Sequence, residues 1–173
     1  MSQKPTFTII THSAEETVKL GHCIGKKLKP GHIVALIGDL GAGKTWLSRG
    51  IGEGLEISEH HHVHSPAFDL IHEHPGQTPM YHMDFYRLDD FSAEDEMWVS
   101  EYIHAQTGVC VIEWANKFIV DILDCYLKIQ LTMIEDCHST RKLEFFAVGE
   151  DYLPLIHQIE AEFNQNKEPY LYK

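Results

Sequence analysis

The segment Gly38-Asp-Leu-Gly-Ala-Gly43-Lys44-Thr45 constrains this chain more than any other. It fits the pattern G-x-x-x-x-G-K-[ST], a match that chance supplies roughly once in a hundred chains of this length. Its surroundings sharpen the reading. His32–Ile37 before it is a continuous apolar run, as in a strand buried on both faces, and Lys44 to about Leu55 after it reads as a helix. Glycines at such a turn let backbone N–H groups face phosphate oxygens, and the helix N-terminus adds partial positive charge. Lys44 would then reach the β- and γ-phosphates of a nucleoside triphosphate, and the Thr45 hydroxyl would ligate Mg2+.

The rest of the chain alternates strands with helices. Phe7–Thr11 is a short β-rich run, and Ser13-Ala-Glu-Glu16 has the form of a capping box opening a helix to about Leu28, where Lys29-Pro30-Gly31 stops it. A polar, His-rich loop fills 56–65. Strands are expected over Ala67–His72 and Met80–Tyr86, parted by Pro75-Gly76-Gln77. Ser92-Ala-Glu-Asp95 opens a helix to about Ala105, and Gly108 precedes the apolar strand Val109–Ile112. Tyr126–Ile134 and Arg141–Val148 alternate around the turn Glu135–Thr140, an antiparallel hairpin. Glu150–Gln165 reads as a surface helix. The pattern predicts an α/β fold, a P-loop NTPase-like three-layer sandwich with a mostly parallel central sheet and an antiparallel C-terminal hairpin.

A length of 173 residues suits one domain: residues 1–149 as a P-loop ATPase domain, with 150–173 as its C-terminal helix and tail. No apolar run approaches the roughly 18 residues of a membrane span, and the first residues lack an apolar signal core. The four cysteines show no C-x-x-C pair. A reduced, cytoplasmic protein is expected, with no membrane partner. Net charge is −12 and there are only three arginines, Arg49, Arg87 and Arg141. Proteins that grip nucleic-acid backbones show a basic footprint, so no DNA partner is expected, and any RNA contact is local or borrowed from a partner.

A metal held at Thr45 needs an acid. Val109-Cys-Val-Ile-Glu113 ends an apolar strand in a carboxylate, the form of a Walker B strand, and Asp84 in His82-Met-Asp-Phe-Tyr-Arg87-Leu is the second candidate. His82, Asp84 and Tyr86 alternate and so share one strand face, which a solvated strand would also show. Asn116-Lys117-Phe118-Ile119 begins like the guanine-reading N-K-x-D but lacks its acid, which favours adenine. The scarcity of arginine and the lack of a basic lid segment speak against a small-molecule kinase. Hydrolysis or a nucleotide-gated switch fits better.

Four blocks in order carry a family resemblance: Gly38–Thr45, Val63-His-Ser-Pro-Ala-Phe68, His82-Met-Asp-Phe-Tyr-Arg-Leu88 and Val111-Ile-Glu-Trp-Ala115. The chain resembles the TsaE family, bacterial P-loop ATPases of tRNA threonylcarbamoyladenosine biosynthesis, over about residues 5 to 148. The resemblance implies ATP hydrolysis with Mg2+ and a partnership with the TsaB–TsaD heterodimer, which carries out the transfer to tRNA while the ATPase supports repeated turnover. It implies phosphate and magnesium roles for Lys44 and Thr45, a switch-like segment at Ser65–Phe68, Asp84 and Glu113 near metal and attacking water, and Trp114 beside the site. Asp39, Leu40, Gly41, Ala42, Gly43, Lys44, Thr45, Trp46 and Trp114 form the nucleotide-binding set, with Lys44, Asp84 and Glu113 catalytic and Thr45, Glu113 and Asp84 at the metal. Two positions depart from the family pattern. Ala67 replaces a threonine, which favours slow hydrolysis or an assembly factor gated by nucleotide occupancy. Trp46 replaces a small hydroxyl residue, and its ring is expected to pack beneath the loop.

Other residues read more simply. His60-His-His62, His64 and the pair His72 and His74 invite a transition metal, but neighbouring loop histidines seldom converge on one ion, and surface histidine is the expectation. Cys110 reads as a small buried hydrophobe, Trp98 and Tyr102 as core, and Tyr170 and Tyr172 as a frayed end.

Overall fold

The computed structural model describes residues 4–57, 70–117, 123–135 and 137–167. Its elements are β1 (Phe7–Thr11), α1 (Ala14–Gly25), β2 (Ile33–Ile37), α2 (Lys44–Gly54), β3 (Ile71–His74), β4 (Met80–Asp84), α3 (Ala93–Ala105), β5 (Val109–Glu113), β6 (Tyr126–Ile134), β7 (Cys137–Val148) and α4 (Tyr152–Lys167), with a 3-10 turn at Ala115–Lys117.

The seven strands form one sheet in the order β1-β7-β6-β2-β5-β4-β3. Its middle is parallel, β2 lying between β5 and β6 with β4 beyond β5. Antiparallel pairs close the edges, β3 on β4 at one side and the β6–β7 hairpin with β1 at the other. The sequence therefore reads correctly as mixed α/β with a parallel centre and a C-terminal hairpin. Alternation along the strands divides the core in two. Val34, Leu36, Val109 and Val111 join the α1, α2 and α4 side, while Ile33, Ala35, Cys110 and Ile112 join Val99 of α3 on the other. Both faces of β2 and β5 are covered, which is why those strands read as unbroken apolar runs.

The helix α1 lies against α2 almost backbone to backbone. A Cβ on Gly21 would stand 2.9 Å from Gly50 Cα, and one on Gly25 would stand 2.9 Å from Gly54 Cα. In each helix the two glycines at the contact lie four residues apart, hence on one face. This packing fixes α2, whose first turn belongs to the site. It also explains the end of α1, which stops at Gly25 rather than Leu28. Beyond it the chain tightens into i→i−3 bonds, Lys27 N to Ile24 O at 2.9 Å and Leu28 N to Gly25 O at 3.2 Å.

Other boundaries shift for local reasons. Ser13 caps α1 as expected, its oxygen accepting from Glu16 N at 3.1 Å, but the Glu16 carboxylate takes the amide of His12 at 2.8 Å rather than that of Ser13. Ser92 and Asp95 form the full capping box of α3. Strand β3 spans Ile71–His74 rather than ending at His72, because His74 still pairs with Met80. Strand β4 ends at Asp84, not Tyr86: the Asp84 Oδ1 accepts from Tyr86 N at 2.8 Å and turns the chain. The hairpin turn is shorter than Glu135–Thr140, since β7 already begins at Cys137. α4 starts at Tyr152, whose hydroxyl accepts from Ile33 N at 2.8 Å and anchors the helix to the sheet.

Two aromatic assignments are corrected. Trp98 is 47% exposed and Trp46 43% exposed, so neither is a core ring and Trp46 does not pack beneath the loop. In α3 only Val99 is buried. Tyr102 does pack partly against the second core, as expected. The histidines at 60–64, the segment Ser65–Phe68 with Ala67, and Tyr170 and Tyr172 lie outside the described residues. No described helix is long and apolar enough to cross a membrane.

Candidate functional site

The glycine loop leaves the C-terminal end of β2 at the middle of the sheet, where open α/β sheets bind ligands. Gly41 (φ 80°) and Gly43 (φ 103°) take left-handed backbone that side chains disfavour, and Gly43 is the N-cap of α2. Ala42 is buried and its amide bonds Asp39 O at 3.1 Å, whereas Leu40 at the tip is 67% exposed. The first turn of α2 therefore presents its amides beside the loop, as an anion site requires.

Lys44 is 4% exposed. Its Nζ donates to Gly38 O at 2.7 Å and Asp39 O at 2.9 Å and lies 4.0 Å from the centroid of the Trp114 ring. Burial pulls its pKa below the ordinary lysine value, while Glu113, Asp84 and Asp39 act the other way. Trp114 is brought there by a left-handed backbone, φ 58°, directly after β5, a costly conformation for a large side chain. Its ring also meets Tyr86 at 5.0 Å between centroids. Lys117 fixes the far side by donating to Tyr86 O at 2.6 Å and Leu88 O at 2.9 Å, so the N-K pair after Trp114 braces a turn.

Glu113 ends β5 beside the first turn of α2 and is 1% exposed. Thr45 Oγ1 donates to its Oε2 at 3.0 Å, Ser48 Oγ donates to its Oε1 at 2.9 Å, and His82 Nε2 stands 2.9 Å from the same Oε1. Burial pushes the carboxyl up, but the His82 hydrogen bond and charge and the two hydroxyls outweigh it. The group ends below its usual range and stays ionised. Alternation on β4 places His82 and Asp84 on the α2 side, and both are buried, so the solvated-strand alternative is wrong.

The expected residues thus converge. Lys44, Thr45, Asp84, Glu113 and Trp114 gather at the ends of β2, β4 and β5, while Asp39, Leu40, Gly41 and Trp46 are the exposed members of the set. Sequence reasoning missed three contributors. Ser48 follows Lys44 at helical spacing, a readable signal. The bonding of His82 to Glu113 depends on the β4–β5 register. Arg141 of β7 gave no signal: its guanidinium lies against the loop, with Nε 2.7 Å from where a Gly43 Cβ would stand. Arg141 is 9% exposed, its Nη1 donates to Ser139 O at 2.7 Å, and its buried Nε has no partner among the described residues. No group of three or more metal-ligating side chains occurs among the described residues, and His72 and His74 form no such cluster.

A parallel-centred sheet with a glycine loop opening a helix, an inserted lysine and a hydroxyl–carboxylate pair define a P-loop NTPase-like protein. The model of the family described as "Threonylcarbamoyl adenosine biosynthesis protein TsaE" matches residues 11–143. A Bacillus subtilis protein named for tRNA threonylcarbamoyladenosine biosynthesis, TsaE, is 37% identical over 155 residues, covering 89% of this chain and 94% of its own. The TsaE of Treponema pallidum is 35% identical over 127 residues, 73% of this chain and 92% of its own. The crystal structure of Bacillus subtilis YdiB superposes with a TM-score of 0.75 at 32% identity, covering 92% of this chain and 98% of that one. The chain belongs to the TsaE family.

Proposed function

We propose that this protein is a Mg2+-dependent ATPase that serves tRNA threonylcarbamoyladenosine biosynthesis together with a TsaB–TsaD heterodimer. The observation that carries the reading is the meeting of Thr45 and Glu113 at 3.0 Å, next to the buried ammonium of Lys44. An ionised carboxylate and a hydroxyl are the oxygen donors that Mg2+ prefers, so the residues fit the ion. Thr45 and Glu113 would hold it, with Asp84 close by. Bound there, Mg2+ would neutralise charge on the β- and γ-phosphates. Lys44 exchanges its carbonyl partners for phosphate oxygens, the amides of Gly41–Thr45 cradle the same group, and Arg141 adds a cation beside Gly43. Asp84 and Glu113 orient the attacking water. The acidic balance of the chain leaves tRNA contact to the partners, and four cysteines that form no disulfide suit the cytoplasm.

Steady-state ATP hydrolysis, measured alone and with purified TsaB–TsaD, tests this with Lys44→Ala as the blank. Stimulation by the partners is the expected result, and no turnover in either condition would sink the ATPase assignment. Ala67 favours a second reading, an assembly factor gated by ATP occupancy. Many rounds of tRNA modification with a non-hydrolysable analogue would select it.

A further inference from the structure

The Glu113 carboxylate has two oxygens with unequal surroundings. Among the described residues Oε2 meets only the Thr45 hydroxyl, at 3.0 Å, while Oε1 meets both Ser48 Oγ and His82 Nε2 at 2.9 Å. Ser48 has one hydrogen and two acceptors in range, since Lys44 O lies 3.1 Å from the same hydroxyl. It can turn away from Glu113 at little cost. His82 cannot. Its ring is 0% exposed and is held on β4 between His72 of β3 and Val111 of β5, with Nε2 aimed at Oε1. Its other ring nitrogen, Nδ1, is buried and has no hydrogen-bond partner among the described residues. The fold thus tolerates a buried, unpartnered ring nitrogen to keep Nε2 on Oε1.

We infer that His82 is a positioning residue: by occupying Glu113 Oε1 it leaves Oε2 as the single oxygen turned toward Thr45 and the cation, and so sets how tightly the site holds its divalent metal. The inference rests on the proposed Mg2+–nucleotide reading and adds to it a group that touches neither metal nor substrate. Without the His82 N–H, the carboxylate is free to rotate about its last torsion, which is soft for glutamate, and each oxygen then spends part of its time facing the metal. Removal of such outer partners costs ~10–100-fold in metal affinity. Nucleotide contacts made by the loop amides and Lys44 do not pass through Glu113, so affinity measured without metal is unaffected.

The test uses Mn2+ as the probe, because its free form is counted directly by electron paramagnetic resonance. Wild type, His82→Phe and His82→Gln are titrated with Mn2+ in the presence of ATP, and a fluorescent ATP analogue is titrated separately in EDTA. Phe keeps a flat ring but has no donor; Gln restores an N–H near the position of Nε2. The expected result is Mn2+ affinity lowered ~10-fold or more in His82→Phe and restored to within about threefold of wild type in His82→Gln, with analogue binding in EDTA equal in all three. Equal Mn2+ affinities in folded wild type and His82→Phe would overturn the positioning role. If His82→Phe does not fold, His82→Asn replaces it, since its amide is too short to reach Oε1. Asn and Gln variants of equal Mn2+ affinity would overturn the role in the same way. A wild type that binds the analogue in neither EDTA nor Mn2+ would instead overturn the nucleotide reading, and this inference with it.

Discussion

The Lys44 ammonium stands 4.0 Å from the centroid of the Trp114 indole, and a left-handed Trp114 backbone (φ 58°) holds the ring there. A cation over an indole face that is partly desolvated is worth about 0.5–2 kcal/mol. Any phosphate that draws Lys44 away from Gly38 and Asp39 changes what the indole sees. In a Trp46→Phe, Trp98→Phe background, ATP should therefore shift or quench the remaining emission. Titration that leaves the Trp114 spectrum untouched while nucleotide binds would show that the lysine stays in place.

Lys44→Ala removes the one ammonium among the described residues that reaches into the loop. Charge-assisted hydrogen bonds to phosphate are worth roughly 1.5–3 kcal/mol each in folded sites. Nucleotide affinity should fall ~10-fold or more and hydrolysis should be lost. Isothermal calorimetry and a phosphate-release assay give the two numbers; near-normal turnover would contradict the loop assignment.

Glu113→Gln keeps the shape and removes the charge. ATP binding should persist and hydrolysis should slow by ~100-fold or more, the size of a lost general-base or metal-orienting group. The wild-type carboxyl also carries a pH signature. Its folded pKa lies below the ordinary 4.5, because the His82, Ser48 and Thr45 bonds outweigh the opposing effect of burial. The stabilisation is therefore present above about pH 4.5 and is lost as pH falls toward the folded value, where the unfolded chain holds the extra proton. Melting temperatures compared at pH 7 and near pH 4 should converge between wild type and Glu113→Gln as pH falls. A constant gap would mean that Glu113 is not the group responsible.

Gly50→Ala should destabilise the fold. Its Cβ would press on Val18 O and stand 2.9 Å from Gly21 Cα, and backbone on both sides cannot yield as a flexible side chain would. Overpacking of this kind costs about 1–3 kcal/mol. Gly76→Ala is the control, since its Cβ would meet nothing closer than Thr78 O at 3.5 Å. Urea melts of the two variants should differ in midpoint, with Gly76→Ala close to wild type.

The cysteines should separate by burial. Burial pushes the Cys110 thiol up to about 12, so almost none is thiolate at neutral pH, while Cys125 and Cys137 are exposed. A thiol reagent at pH 7.5 should modify Cys125 and Cys137 in the native protein and reach Cys23 and Cys110 only on unfolding. Peptide mapping after a short pulse decides it, and early labelling of Cys110 would show that β5 opens easily.

Local chemistry made much of this protein legible in its sequence. A glycine loop between an apolar strand and a helix, capping serines at residues 13 and 92, and period-two alternation at His82 and Asp84 depend on neighbours within a few residues, so their positions followed directly. The same locality explains the misjudged ends and rings. The stop of α1 at Gly25 lies in its packing on Gly54, and the exposure of Trp46 and Trp98 depends on what the rest of the chain leaves uncovered. The amino-acid order by itself determined the loop, the parallel core strands and the identities of Lys44, Thr45 and Glu113. Only the tertiary structure decided that His82 bonds Glu113 and that Arg141 rests on Gly43. Those meetings join residues far apart in the chain through strand register, and register is a property of the assembled sheet that no local pattern carries.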